Sequence, residues 1–133
     1  SEGTTIPGIE IFKARTLGSD MRMIGNISLQ TRLGQVVGFE NHSGRTILDA
    51  TQESFGKVVR GYGNDGESGY EGAITNNCIG TYLHGPLLPK NPVLADHLLL
   101  TALRNKYGAD AELSALDDTL EAQAVKQSLS RPQ

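Results

Sequence analysis

Cysteine is nearly absent from this chain. Cys78 stands alone, so no internal disulfide can form, which fits a reducing compartment. Basic residues are outnumbered, with 12 Lys and Arg against 15 Asp and Glu, a formal net charge of −3 and a pI near 5.5. No basic stripe is present to release counterions from phosphates, which argues against a nucleic-acid binder. No apolar run approaches membrane-spanning length and no signal peptide opens the chain, so a cytoplasmic protein without membrane insertion is expected. Repeats and low-complexity tracts are missing too. What remains is 133 residues, enough for one modest domain or part of one.

Against that background the most informative stretch is Gly80-Thr81-Tyr82-Leu83-His84-Gly85-Pro86-Leu87-Leu88-Pro89-Lys90-Asn91-Pro92. A β-favouring run, Ile79 to Leu83, stops at a histidine followed by Gly-Pro, which predicts an imidazole delivered at the carboxyl end of a strand. Chemistry in α/β sheets is placed there. Asn91-Pro92 then predicts a helix start, with Asn as N-cap and Pro at the first helical position. His84 has two readings at this point: a hydrogen-bonded structural residue, or a general base whose ordinary titration range suits proton transfer.

Earlier in the chain the pattern is β. Strands are expected at Ile9–Lys13, Met21–Leu29, Gln35–Glu40 and Gly56–Arg60, from β-branched and aromatic enrichment between glycine-containing breaks. Gly18-Ser19-Asp20 and Leu33-Gly34 are the expected turns, Tyr70–Ile74 resumes the sheet, and Asn76-Asn77 turns the chain towards the segment that carries His84. Glu40-Asn41-His42-Ser43-Gly44-Arg45-Thr46 reads as a polar turn between strands. Its donors lack a second cluster at ligand spacing, so no metal is expected. Gly61-Tyr62-Gly63-Asn64 and the glycines after it lack the Gly-Lys-Ser/Thr ending of a phosphate cradle and read as a hairpin loop.

Pro92 to Tyr107 is the clearest helix, with Leu94, Leu98 and Ala102 beside Ala95, Leu99 and Leu103 on one face, Asp96 placed in the first turn and Gly108 as the stop. A second helix or pair is expected from about Ala111, with Asp117-Asp118 starting it afresh. Cys78 is not the partner of His84. Six residues of extended chain separate them by about 20 Å, whereas a nucleophile and its base must lie within hydrogen-bond reach. A small apolar filler beside the strand is the expected role.

Taken together, Arg22-Met23-Ile24-Gly25-Asn26, Val37-Gly38-Phe39-Glu40-Asn41-His42-Ser43-Gly44-Arg45-Thr46, Gly61-Tyr62-Gly63-Asn64, Tyr70-Glu71-Gly72 and the run from Gly80 to Pro92, with Leu94-Ala95-Asp96 behind it, resemble the class I glutamine amidotransferases of the cobyric acid synthase-like group. Within that group the resemblance is strongest to the glutaminase subunits of lipid II isoglutaminyl synthases. It implies an α/β, flavodoxin-like fold, with a partial sheet and C-terminal helices. It also implies that residues 1–133 are the C-terminal part of a single domain whose N-terminal part, carrying the cysteine nucleophile and most of the oxyanion site, is absent here. Exposed sheet edges would then favour association with that missing part, with a partner or with itself.

By the same resemblance His84 takes the catalytic histidine position, and Arg22, otherwise a solvated charge, becomes a candidate for holding the α-carboxylate of glutamine through its guanidinium fork. Glu40 or His42 would contact substrate or partner at the rim, without a catalytic role. The implied reaction is hydrolysis of glutamine to glutamate and ammonia without a cofactor. The ammonia would serve a Mur ligase-like synthetase in a heterodimer that amidates the D-glutamate of lipid II in peptidoglycan synthesis. A cobyric or cobyrinic acid acceptor is the alternative, and a non-catalytic partner-binding module the second one. Many class I enzymes orient the histidine with a Glu two residues later; here that position is Pro86, so the orienting group lies elsewhere, is absent or comes from another chain, a carboxylate of the synthetase being the expectation.

Overall fold

The computed structural model describes residues 4–130. Its centre is a four-stranded sheet in the order β3-β2-β5-β6, built from β2 (Met23–Thr31), β3 (Gly34–His42), β5 (Gly56–Arg60) and β6 (Tyr70–Glu71). Two small ribbons flank it: β1 (Ala14–Leu17) with β4 (Arg45–Leu48), and β7 (Ala73–Thr75) with β8 (Cys78–Gly80). The two helices follow, α1 at Pro92–Tyr107 and α2 at Thr119–Ser130. Strands therefore fill the first two thirds and helices the last, as the sequence predicts.

All pairings between these strands are antiparallel. A parallel pair needs a crossover of about a dozen residues, usually a helix, and no helix lies between β1 and β8. The parallel portion of a flavodoxin-like sheet is thus not formed by these strands among themselves.

The β2–β3 hairpin is the backbone of the structure. Its register runs from Met23↔His42 to Thr31↔Gly34 across the two-residue turn Arg32-Leu33, and the Thr31 hydroxyl closes that turn by donating to the Gly34 carbonyl at 2.8 Å. Ile27, Leu29 and Val36 pack with Phe55, Leu83 and Leu94 into one core cluster. Each such side chain contributes roughly 1.5–3 kcal/mol when fully buried. Gly38 lets this core approach the strand: a Cβ there would meet the Leu83 side chain at 2.8 Å.

Several sequence expectations shift. Ile9–Lys13 is not a strand; Glu10 has φ of 57°, which breaks an extended run, and the strand forms later as β1. Tyr70–Ile74 divides at Gly72, whose φ of +67° redirects the chain from the main sheet to the β7–β8 ribbon. A Cβ at Gly72 would lie 2.5 Å from the Gly80 carbonyl, so no other residue fits. Strand β4 pairs with β1 and not with β3, so the polar segment between β3 and β4 carries the chain from one sheet to another.

The helix expectation for Pro92–Tyr107 matches α1, and the Gly108 N–H closes it on the Arg104 carbonyl. Asp96 falls just past the first turn, which holds no acid. Only Leu94 of the expected apolar face is fully buried; Leu99 is 56% exposed. Helix α2 starts after Asp117, whose carboxylate accepts the Thr119 N–H at 3.0 Å.

Candidate active site

Strand β8 ends at Gly80, earlier than the β-favouring run suggests, because Thr81 and Tyr82 are bound sideways. The Thr81 hydroxyl donates to Glu71 Oε1 at 2.5 Å, and the Tyr82 N–H donates to the same oxygen at 2.7 Å. Released from its ribbon, the chain crosses to the free edge of β3. There His84 and Phe39 form an antiparallel bridge, with the His84 N–H donating to the Phe39 carbonyl at 2.6 Å and the Phe39 N–H to the His84 carbonyl at 3.4 Å. His84 is thus held at a single bridge rather than at the end of a continuous strand.

Alternation then decides where its ring goes. Leu83 packs on the core side, at Gly38. Its neighbour His84 therefore projects to the opposite face, where it is exposed. Residues directly opposite in an antiparallel pair share a face, so Phe39 and, two positions on, Asn41 lie on the His84 side. Arg22 joins them: its Nε donates to Asn41 Oδ1 at 2.8 Å. The two candidates named from the sequence are brought to one face of β3.

The other face of β3 carries what the sequence reading misplaced. Glu40 is fully buried, accepting the Tyr62 N–H at 2.7 Å and the Gly63 N–H at 2.9 Å. His42, 8% exposed, stacks on the Tyr82 ring with centroids 3.7 Å apart and planes 1° from parallel. Its Nδ1 lies 2.9 Å from the Gly44 carbonyl, which only accepts, so Nδ1 carries a proton. Neither side chain lies at the exposed rim that the sequence suggests. Both point inward: Glu40 because the turn at Tyr62-Gly63 brings backbone donors that need a buried acceptor, His42 against the Tyr82 ring and the Gly44 carbonyl.

Glu71 completes this inner layer and was not singled out from the sequence, although Tyr70-Glu71-Gly72 was. It is fully buried and also accepts the Gly72 N–H. Burial pushes its carboxyl above the ordinary value of 4.5, opposed by the Thr81 hydroxyl, the Tyr82 and Gly72 N–H groups and nearby His42. A carboxyl with a raised folded-state pKa favours folding below the unfolded value, and that contribution is lost as pH rises through the folded value. Glu71→Gln removes this dependence. The stability advantage of the parent over the variant should therefore shrink as pH rises from about 4.5 and level off above the raised value, as urea titrations at a series of pH values will read. An advantage independent of pH would show that Glu71 titrates alike in the folded and unfolded states.

Cys78 opens β8 and is exposed, so it is not the apolar filler expected from the sequence. Among the described residues no group of three or more His, Cys, Asp and Glu side chains converges as a metal site would. A cleft of about 490 Å³ opens beside Tyr82, lined by Phe12, Thr46 and Asn64 among others, and does not include His84 or Arg22.

Architecture and residue placement together define an α/β class I glutamine amidotransferase fold. Residues 1–92 match the model of the CobB/CobQ-like glutamine amidotransferase domain. The chain belongs to that family. It is 38% identical over 130 residues to the glutamine-hydrolysing subunit GatD of lipid II isoglutaminyl synthase from Streptococcus pneumoniae, covering 96% of this chain and 50% of that protein. With GatD of Staphylococcus aureus identity is 40% over 131 residues, 98% of this chain and 53% of the relative. A probable cobyric acid synthase of Methanothermobacter thermautotrophicus is 38% identical over 68 residues, half of this chain and 13% of that protein. The chain thus spans about half the length of the GatD relatives it matches. No helix among the described residues is long and apolar enough to cross a membrane.

Proposed function

We propose that this chain is the histidine-bearing, C-terminal part of a glutaminase that releases ammonia from glutamine for a partner synthetase. The observation that carries it is the placement of His84: backbone-locked to Phe39, exposed, and on the face of β3 that Arg22 and Asn41 share. In this reading a cysteine thiolate from the other part of the domain attacks the side-chain amide carbon. His84 holds the thiol proton and passes it to the departing ammonia. It then takes a proton from the water that cleaves the thioester, giving glutamate and regenerating the thiol. Arg22, steadied by Asn41, receives the α-carboxylate of glutamine.

The similarity to the GatD subunits over nearly the whole chain supports a cytoplasmic heterodimer with a Mur ligase-like synthetase, in which the ammonia amidates the D-glutamate of lipid II. With Pro86 at the second position after His84, the group that orients the imidazole is a carboxylate of that synthetase. Similarity to cobyric acid synthases keeps a corrinoid carboxylate as the alternative acceptor. A non-catalytic partner-binding module is the remaining reading, which glutamine-dependent ammonia release would exclude.

Ammonia release from L-glutamine by the full-length protein tests the activity, and the acceptor is read by supplying lipid II or cobyrinic acid with the synthetase and ATP. Arg22→Ala should raise KM for glutamine about 10-fold or more, the loss of a charge-assisted bidentate contact worth about 1.5–3 kcal/mol, with kcat changed far less. Absence of glutamine-dependent ammonia in the presence of the synthetase would sink the proposal.

A further inference from the structure

We infer that Asn91 is a positioning residue for His84: its carboxamide takes the place of a backbone pairing on the edge of β3 that Pro86 is unable to make. The inference rests on the reading of His84 as the acid and base of glutamine hydrolysis.

The argument begins with the register. His84 and Phe39 exchange both backbone hydrogen bonds. In an antiparallel pair such exchanges recur at every second residue, which would place residue 86 opposite Val37. Residue 86 is proline and has no N–H to offer the Val37 carbonyl. Val37 is 2% exposed, so an unpaired backbone there would be costly.

Asn91 fills the vacancy. Val37 N–H donates to Asn91 Oδ1 at 2.8 Å, and Asn91 Nδ2 donates back to the Val37 carbonyl at 2.8 Å. A primary amide has the donor and acceptor geometry of a peptide group, so it closes the same paired arrangement. The same Nδ2 also donates to the Leu87 carbonyl at 2.6 Å, tying down the loop that leaves His84. The side chain is 5% exposed and makes no cap bond to α1, although Asn91 stands at the N-cap position. Its backbone carbonyl alone receives the Leu94 and Ala95 N–H groups. The expectation of a side-chain cap is corrected accordingly: the amide is spent on the strand, not on the helix.

His84 is therefore held from two sides. Upstream, Glu71 fixes Thr81 and Tyr82; downstream, Asn91 fixes the returning loop on the strand that His84 itself pairs with. Without the second hold the backbone of the Gly85-Pro86 segment is tied to β3 through the single bridge at Phe39, with one long contact of 3.5 Å from Lys90 Nζ to the Gly85 carbonyl beside it. An ångström of drift in a proton-transfer group can cost about 100-fold in rate.

The experiment uses the full-length protein in a glutaminase assay. Asn91→Ser retains a residue that serves well at an N-cap but is too short to span Val37 and Leu87. It should lower kcat about 10- to 100-fold while leaving KM for glutamine within about twofold, and the Val37 amide should exchange with deuterium much faster than in the parent. Unchanged kcat, or a loss carried by KM alone, overturns the proposal. Should Asn91→Ser fail to fold, Asn91→Asp, which keeps the acceptor for Val37 and loses the donor, is read by the same split; failure of both to fold makes Asn91 a folding residue and also overturns it. His84→Ala runs in parallel. If that variant hydrolyses glutamine at the parent rate, the reading of His84 has failed and the inference falls with it; if it is inactive and Asn91→Ser matches the parent, only the inference has failed.

Discussion

Full-length protein carrying His84→Ala should hydrolyse glutamine about 1,000-fold more slowly than the parent or worse, with little change in unfolding midpoint. General acid–base catalysis by a positioned side chain is worth about 10²–10⁴-fold, and in the proposed mechanism one imidazole serves at the thiol, at the leaving ammonia and at the attacking water. The small effect on stability follows from the structure. The bonds of His84 to Phe39 are backbone bonds, and the side chain itself is exposed, so alanine removes neither packing nor pairing. Steady-state ammonia release and a urea titration on the same sample check both halves. Activity within tenfold of the parent would return His84 to a structural role. A large loss of stability would mean that its ring packs against something outside the described residues.

The largest effect on stability is expected at Glu40. Replacing it by alanine leaves the Tyr62 and Gly63 N–H groups without their acceptor inside the fold. An unsatisfied buried donor costs about 1–3 kcal/mol, so the pair should cost about 2–6 kcal/mol, a large part of the stability of a typical domain. Glu40→Gln is an informative second variant. Its amide offers one oxygen to two donors and turns its NH2 towards the other, so it should recover only part of the loss. Equilibrium unfolding of the three proteins reads the order parent, Gln, Ala. If both variants lie within about 0.5 kcal/mol of the parent, in the range of ordinary surface changes, the carboxylate is not what ties β3 to the 61–63 turn.

These two residues also show where sequence reasoning works and where it stops. Gly56–Arg60 and Pro92–Tyr107 are bounded by local signals, glycine before the strand and Asn-Pro before the helix, and both elements form where those signals place them. Gly-Pro after His84 marks a chain that must leave its strand, yet the strand already ends at Gly80 and His84 is held at an isolated bridge to Phe39, a pairing 45 positions away that no local signal shows. The sequence places Glu40 and His42 at a rim because polarity within a turn-like segment suggests solvent, whereas both are buried. Glu40 is buried by donors at Tyr62 and Gly63, 22 and 23 positions beyond it, and His42 by the Tyr82 ring, 40 positions beyond it, and no local pattern announces either. Asn91 is the sharper case. Its residue type does predict a helix cap, and it stands at the cap position, yet a strand 54 residues earlier holds a stronger claim on its amide. Long-range hydrogen bonding to backbone is the recurring reason that the inner layer of the site was invisible from sequence. The antiparallel character of the strand pairings was hidden for a related reason, since period-two patterns fix which face is buried and not which neighbour a strand chooses.

The stacking of His42 on Tyr82 has a spectroscopic consequence. The chain has three histidines, and their surroundings differ: His84 and His97 are exposed, while His42 lies buried against an aromatic plane at 3.7 Å. Ring current from Tyr82 should move the carbon-bound imidazole protons of His42 upfield, away from the other two. One residue thus supplies an internal reference signal, and magnetic resonance can follow the exposed imidazole of His84, the proposed acid and base, alongside one that should report only on the intactness of the layer beneath it.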